Sequence, residues 1–147
     1  MSKPIFILNG PNLNLLGTRE PEIYGHTTLS DLKAMCEARA EARGHDVFFA
    51  QSNSEAQLID WIHEAIDGAA GVIINAAAFT HTSLAILDAL KNVTCPIIEV
   101  HISNPHTREE FRHFSYVTFA ATGIIAGLGV NSYLHAIDAL ADKLSDA

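Results

Sequence analysis

Short apolar runs alternate along the chain with longer stretches whose apolar positions recur at helical spacing. Ile5 to Leu8 reads as a first strand. From Thr28 to Arg43, Leu29, Leu32, Met35/Cys36 and Ala40 share one helical face, and Gly44 is placed to stop it. Val47 to Ala50 is a second strand. Ser54-Glu-Ala-Gln57 has the form of a capping box, with Leu58, Trp61/Ile62 and Ala65/Ile66 continuing the helix behind it. Val72 to Ile74 is a third strand, Ser83 to Asn92 a third helix, and Ile97 to Val100 a fourth strand after Pro96. Thr107-Arg-Glu-Glu110 reads as another box heading a short helix to Phe114. Val117 to Ala121 follows as a fifth strand, and Leu134, Ile137, Leu140/Ala141 and Leu144 mark a terminal helix.

Strands alternating with helices predict an α/β fold with a parallel sheet covered on both faces. Five such units predict a flavodoxin-like doubly wound five-stranded sheet, order 2-1-3-4-5, forming a single catalytic domain over residues 1–147. Hydrophobic residues are 48% of the chain and charged ones 18%, which argues against disorder. The net charge of −8 speaks against a nucleic-acid partner, which would select a basic face. No apolar run approaches the roughly 20 residues that span a bilayer, so no membrane partner is expected. The opening Met-Ser-Lys-Pro lacks a signal-peptide cleavage site, and Cys36 and Cys95 fit no metal or redox spacing. A cytoplasmic setting with both thiols reduced is the expectation, with Cys36 as core filler.

Ligands of such sheets bind outside the carboxyl ends of the strands. Asn9 and Asn12 follow strand one, and Asn75 and then Phe79-Thr-His-Thr-Ser83 follow strand three. Glu99-Val-His101 ends strand four, before Ile102-Ser-Asn-Pro-His106. This polar rim on apolar strands favours a small polar ligand. The seventeen residues Asn9 to Gly25 hold three asparagines, two prolines and three glycines, too broken for a helix but well placed to cover that rim. Asn9-Gly-Pro-Asn12 is no dinucleotide-binding loop, and the glycines of Gly123-Ile-Ile-Ala-Gly-Leu-Gly129 read as packing positions. The eight histidines form no metal constellation, and all four lysines (Lys3, Lys33, Lys91, Lys143) fall away from the rim, leaving no candidate for a Schiff base. An acid–base set remains. Tyr24 can be a base only where positive charge favours its phenolate, and Arg19 lies five residues before it; the other reading is a ring that anchors the loop. Glu99 and His101, two apart on a strand, point to one face, either as a carboxylate-oriented imidazole or as a surface salt bridge.

Several stretches strongly resemble the type II 3-dehydroquinate dehydratases, in order and over essentially the whole chain. They are Asn9 to Gly25, Gln51 to His63, Phe79-Thr-His-Thr-Ser83, Glu99-Val-His-Ile-Ser-Asn104, Arg108-Glu-Glu-Phe-Arg112 and Ala121 to Gly129. The resemblance implies removal of water from 3-dehydroquinate with anti stereochemistry, through an enolate and without metal or cofactor. It implies Tyr24 as the base at C2, with Arg19 favouring its tyrosinate, and Asn12 stabilising the enolate through a water. His101, oriented by Glu99, would protonate the departing C1 hydroxyl. The backbone N–H groups of Ile102 and Ser103 would hold the substrate carboxylate. Asn75, His81 and Arg112 would bind carboxylate or ring hydroxyls, and Asp88 would reach in from a neighbouring subunit of a homo-oligomer, trimers assembled into a dodecamer. The opening loop becomes a lid that delivers Arg19 and Tyr24. Two departures stand out: Ala76-Ala77 where the family usually has Pro-Gly or Ala-Gly, and Phe114 where many members carry a polar residue. The rival readings are a flavodoxin-like binding module without chemistry and a metal-dependent hydrolase. The helix Ser83 to Asn92 is apolar nearly all round, which predicts a second face covered by another subunit.

Overall fold

A computed structural model describes residues 2–18 and 20–146. Five parallel strands, β1 (Ile5–Asn9), β2 (Val47–Gln51), β3 (Gly71–Asn75), β4 (Ile97–His101) and β5 (Gly123–Ala126), lie in the order β2-β1-β3-β4-β5. The α-helices are α1 (Pro21–Tyr24), α2 (Leu29–Ala42), α3 (Glu55–Gly68), α4 (Leu84–Leu90) and α5 (Asn131–Ser145). The period-2 alternation of each strand sorts its side chains between two cores. Ile5, Ile7, Ile73, Ile98 and Val100 pack with Leu32, Cys36 and Ala40 of α2 and Ile137 and Leu140 of α5. Phe6, Leu8, Val72, Ile74 and Ile97 pack on the opposite face with Leu58 and Ile62 of α3 and Ile86 and Leu90 of α4. The three central strands β1, β3 and β4 are buried throughout.

Local signals place the helices. Thr28 caps α2, its hydroxyl accepting from Asp31 N–H at 3.1 Å while the Asp31 carboxylate accepts from Thr28 N–H at 3.1 Å. Such a cap stabilises by about 1 kcal/mol. At the other end Gly44 adopts φ +83°, and His45 N–H bonds Ala40 O at 2.8 Å while Gly44 N–H bonds Glu41 O at 3.0 Å, the Schellman closure that Gly44 predicts. The box expected at Ser54 is half built: the Ser54 hydroxyl accepts from Gln57 N–H, but Ser54 N–H goes to Ser52 Oγ instead.

Four expectations are corrected. The fifth strand is Gly123–Ala126, not Val117 to Ala121. Val117–Phe119 is a 3-10 turn whose following N–H groups return to carbonyls 116–118, with Val117 buried in the α3/α4 core. The helix expected from Thr107 to Phe114 is two 3-10 turns, Pro105–Thr107 and Glu110–Arg112, because Asn104 rather than Thr107 caps the first. The opening loop is not wholly irregular; it holds a 3-10 turn at Leu13–Leu15 and the single helical turn α1, with Pro21 at its start. Finally, α4 does not leave a second apolar face for another subunit. It packs against α3 and the 117–119 turn, which bury Ile86, Leu87, Ala89 and Leu90 within the chain, and Leu84 is its one large exposed apolar side chain. The chain itself supplies the layer that covers this helix.

Candidate active site

The parallel register brings the polar strand ends to one edge. Asn9 pairs with Asn75 across β1 and β3, and His101 ends β4 beside Ala126. Outside that edge lies a cavity of about 230 Å³ lined by Asn12, Tyr24, Asn75, His81, His101, Ile102, Ser103, Arg108 and Arg112, with Leu13, Leu16, Ala77 and Pro105 as apolar wall. Seven of the predicted site residues thus meet in one place together with Ile102. Arg19 lies outside the described residues. Asp88 is exposed on α4 and does not line this cavity.

Asn75 is held rigidly. Its Nδ2 donates to Tyr133 Oη at 2.9 Å, its Oδ1 accepts from Ala77 N–H at 3.1 Å, and Tyr133 Oη donates to Asn9 Oδ1 at 2.7 Å. Tyr133 is fully buried, and burial pushes its phenol far up, so it stays a neutral donor and acceptor. The loops carrying Asn12 and Ala77 touch at Gly10, where a β-carbon would lie 2.3 Å from Ala76 O. Asn12 itself has φ +70°, a left-handed conformation that asparagine tolerates, and its N–H donates to Asn53 Oδ1.

His101 Nε2 donates to Glu99 Oε2 at 2.5 Å, and Glu99 is 2% exposed. The pair is buried, so the surface salt bridge is not what the chain builds. With Nε2 engaged, Nδ1 is the nitrogen left for a ligand. Burial alone would raise the Glu99 carboxyl. Hydrogen bonds from His101, Thr118 and Ser115 outweigh that and leave it below the usual range. His81 donates Nδ1–H to Phe114 O at 2.7 Å, and burial lowers its pKa, so its Nε2 is an acceptor for a hydroxyl. The Phe114 ring packs on Tyr116 and Phe119 and is not part of the cavity wall.

The sequence reading passed over Arg108. Its Nη1 donates to Tyr24 Oη at 2.8 Å, and its guanidinium carbon lies 5.5 Å from the Tyr24 ring centroid. This puts a cation directly on the Tyr24 hydroxyl, the position that the resemblance gave to Arg19 alone. The available signal was Arg108 four residues before Arg112 in one polar motif. Among the described residues no three His, Cys, Asp or Glu side chains gather as metal ligands, and no helix is long and apolar enough to cross a membrane.

A doubly wound parallel sheet with an acid–base cluster at its carboxyl edge defines the class: a flavodoxin-like α/β protein built to work on a small polar molecule. The family model described as Dehydroquinase class II matches residues 3–141. A 3-dehydroquinate dehydratase of Phenylobacterium zucineum (strain HLK1) is 58% identical over 141 residues, 96% of this chain and 97% of that one. A 3-dehydroquinate dehydratase 2 of Agrobacterium fabrum (strain C58) is 66% identical over 127 residues, 86% of each chain. The crystal structure of a type II dehydroquinase from Propionibacterium acnes superposes with a TM-score of 0.93 at 51% identity, covering 97% of this chain and 98% of that one. The chain belongs to the class II dehydroquinase family.

Proposed function

We propose that this chain is a hydro-lyase that converts 3-dehydroquinate to 3-dehydroshikimate by anti elimination of water through an enolate. The observation that carries the reading is one cavity holding Tyr24 with Arg108 on its hydroxyl, Asn12, and His101 backed by a buried Glu99. Each part meets a requirement of the chemistry. A proton next to a ketone is removed by a base, and Tyr24 as tyrosinate takes it from C2 with Arg108 and Arg19 balancing its charge. The developing enolate oxygen needs a donor, and Asn12 supplies it through a bound water. The C1 hydroxyl leaves as water with a proton from His101 Nδ1, while Glu99 stabilises the imidazolium that gives it. Ile102 and Ser103 N–H groups hold the carboxylate, and Asn75, His81 and Arg112 bind ring hydroxyls or carboxylate. The ketone supplies the acidity at C2, so these steps call on no metal or cofactor.

The 9–25 segment acts as a lid over this cavity. Homo-oligomers built from trimers, twelve chains in all, bring Asp88 of one chain to the lid of its neighbour. The exposed Phe111, Phe119, Ile124 and Leu128 support a subunit contact better than α4 does. The chain then works in the cytoplasm, in the shikimate pathway.

Mixing the purified protein with 3-dehydroquinate tests the reading. The ultraviolet absorbance of the conjugated enone should rise, with or without chelator. Binding by calorimetry with no absorbance change would make the chain a binding module and overturn the proposal.

A further inference from the structure

Glu99 is held by more than its histidine. Oε2 accepts from His101 Nε2 at 2.5 Å and from Ser115 Oγ at 2.7 Å, and Oε1 accepts from Thr118 Oγ1 at 2.6 Å. Thr118 N–H in turn donates to Ser115 Oγ at 3.2 Å, which ties the two hydroxyl positions together. Both sit on or just before the Val117–Phe119 turn, anchored by the buried Val117.

We propose that Ser115 and Thr118 are positioning residues for the acid: their hydroxyls keep Glu99 ionised and so keep the pair's shared proton on His101. The idea rests on the reading of His101 as general acid. An imidazole and a carboxylate that share one added proton have two arrangements, imidazolium with carboxylate or neutral imidazole with carboxylic acid. Burial favours the uncharged arrangement, because two desolvated charges are costly even when paired. In that arrangement Nδ1–H belongs to a neutral imidazole, a far weaker acid than imidazolium, and the departing hydroxyl is left without an effective proton donor. Two O–H groups aimed at the carboxylate reverse the preference, since hydrogen bonds to an ionised acceptor are about twice as strong as neutral ones. The Ser115 oxygen, already accepting from Thr118 N–H, is poorly placed to turn round and accept from a protonated Glu99. The other titratable groups facing the pair are His81, from the turn after β3, and Arg112, from the 110–112 turn. Neither touches the two hydroxyls, so both stay in place when the hydroxyls are removed.

A purely structural role for the turn would make different demands. Its loss would lower the melting temperature without moving a proton. The test is Ser115→Ala and Thr118→Val, singly and together, with Ser115→Thr and Thr118→Ser as hydroxyl-keeping controls. Nitrogen-15 NMR titration of His101 reads the proton directly. In the hydroxyl-free variants proton uptake by the pair should move to higher pH, and the one-proton state should show more neutral imidazole. The turnover number should fall roughly 10- to 100-fold, the scale of losing hydrogen bonds to a charged acceptor, with KM little changed. The controls should restore both readouts. Superimposable His101 titrations in wild type and variants would overturn the proposal, whatever happens to the melting temperature. The NMR arm needs no turnover, so an inactive wild type would sink the dehydratase reading alone and leave the hydroxyl clamp to be decided by its own result.

Discussion

Ala77 holds φ +53° at the cavity wall, a left-handed conformation that costs an alanine roughly 1–2 kcal/mol. Its N–H is the donor that fixes Asn75 Oδ1, so the strain is tied to the orientation of a site residue. Ala77→Gly relieves the strain but frees the unfolded chain, and the two nearly offset. The expected result is a gain of a few tenths to about 1 kcal/mol in denaturant unfolding; a loss of 1 kcal/mol would mean that Ala77 is unstrained. Tyr24→Phe keeps the ring and removes only the hydroxyl that Arg108 grips. Substrate binding should persist while kcat falls about 10²- to 10⁴-fold, as for loss of a positioned base, and a near-normal kcat would return Tyr24 to a packing role. At this scale the sequence was legible wherever a side chain's task is local. Glu99 and His101 share a face because strands alternate, and His101 sits at the strand end where ligands bind. Arg108 was not legible, because its partner Tyr24 is 84 residues away and joined to it only by the fold. Tyr133, 124 residues from Asn9, escaped for the same reason.

At the scale of elements, helices α2 to α5 and four of the strands could be read from periodicity and caps, because those signals lie within one turn or one pleat. The fifth strand could not. Val117-Thr-Phe-Ala-Ala121 has the apolar, β-branched look of a strand, whereas Gly123–Ala126 begins with the residue least suited to one. What decides between them is tertiary: Thr118 and Ser115 are drawn to the Glu99 carboxylate and Val117 to the core under α4, leaving Gly123 to pair beside Ile98. The opening loop makes a sharper demand. Gly10 passes so close to Ala76 that any β-carbon must push the backbone after β3 aside. Gly10→Ala should therefore destabilise by about 3 kcal/mol, at the severe end of overpacking, and raise KM by displacing Asn12 and Ala77. A variant with wild-type melting temperature and KM would show that the two loops move independently.

For the whole molecule, the fold class and strand order followed from counting alternating units, because a parallel sheet leaves few ways to arrange them. Assembly is harder to read from one chain. The apolarity of α4 seemed to ask for a partner, yet the chain buries that helix itself. Asp88, exposed on its outer side, bears on function only if a second copy comes near. Light scattering is expected to find a multiple of three chains at assay concentration, and Asp88→Ala to lower kcat without unfolding the protein. An active monomer would remove Asp88 from the account.

The central claim is that one cavity takes a C2 proton and expels the C1 hydroxyl from the other face of the ring. Supplying 3-dehydroquinate carrying deuterium at only one of the two C2 positions tests it in a single reaction. Deuterium placed trans to the departing hydroxyl should be absent from the enone product by mass spectrometry, and deuterium placed cis should be fully retained. Retention of the trans label with loss of the cis label, or no enone at all, would contradict the account.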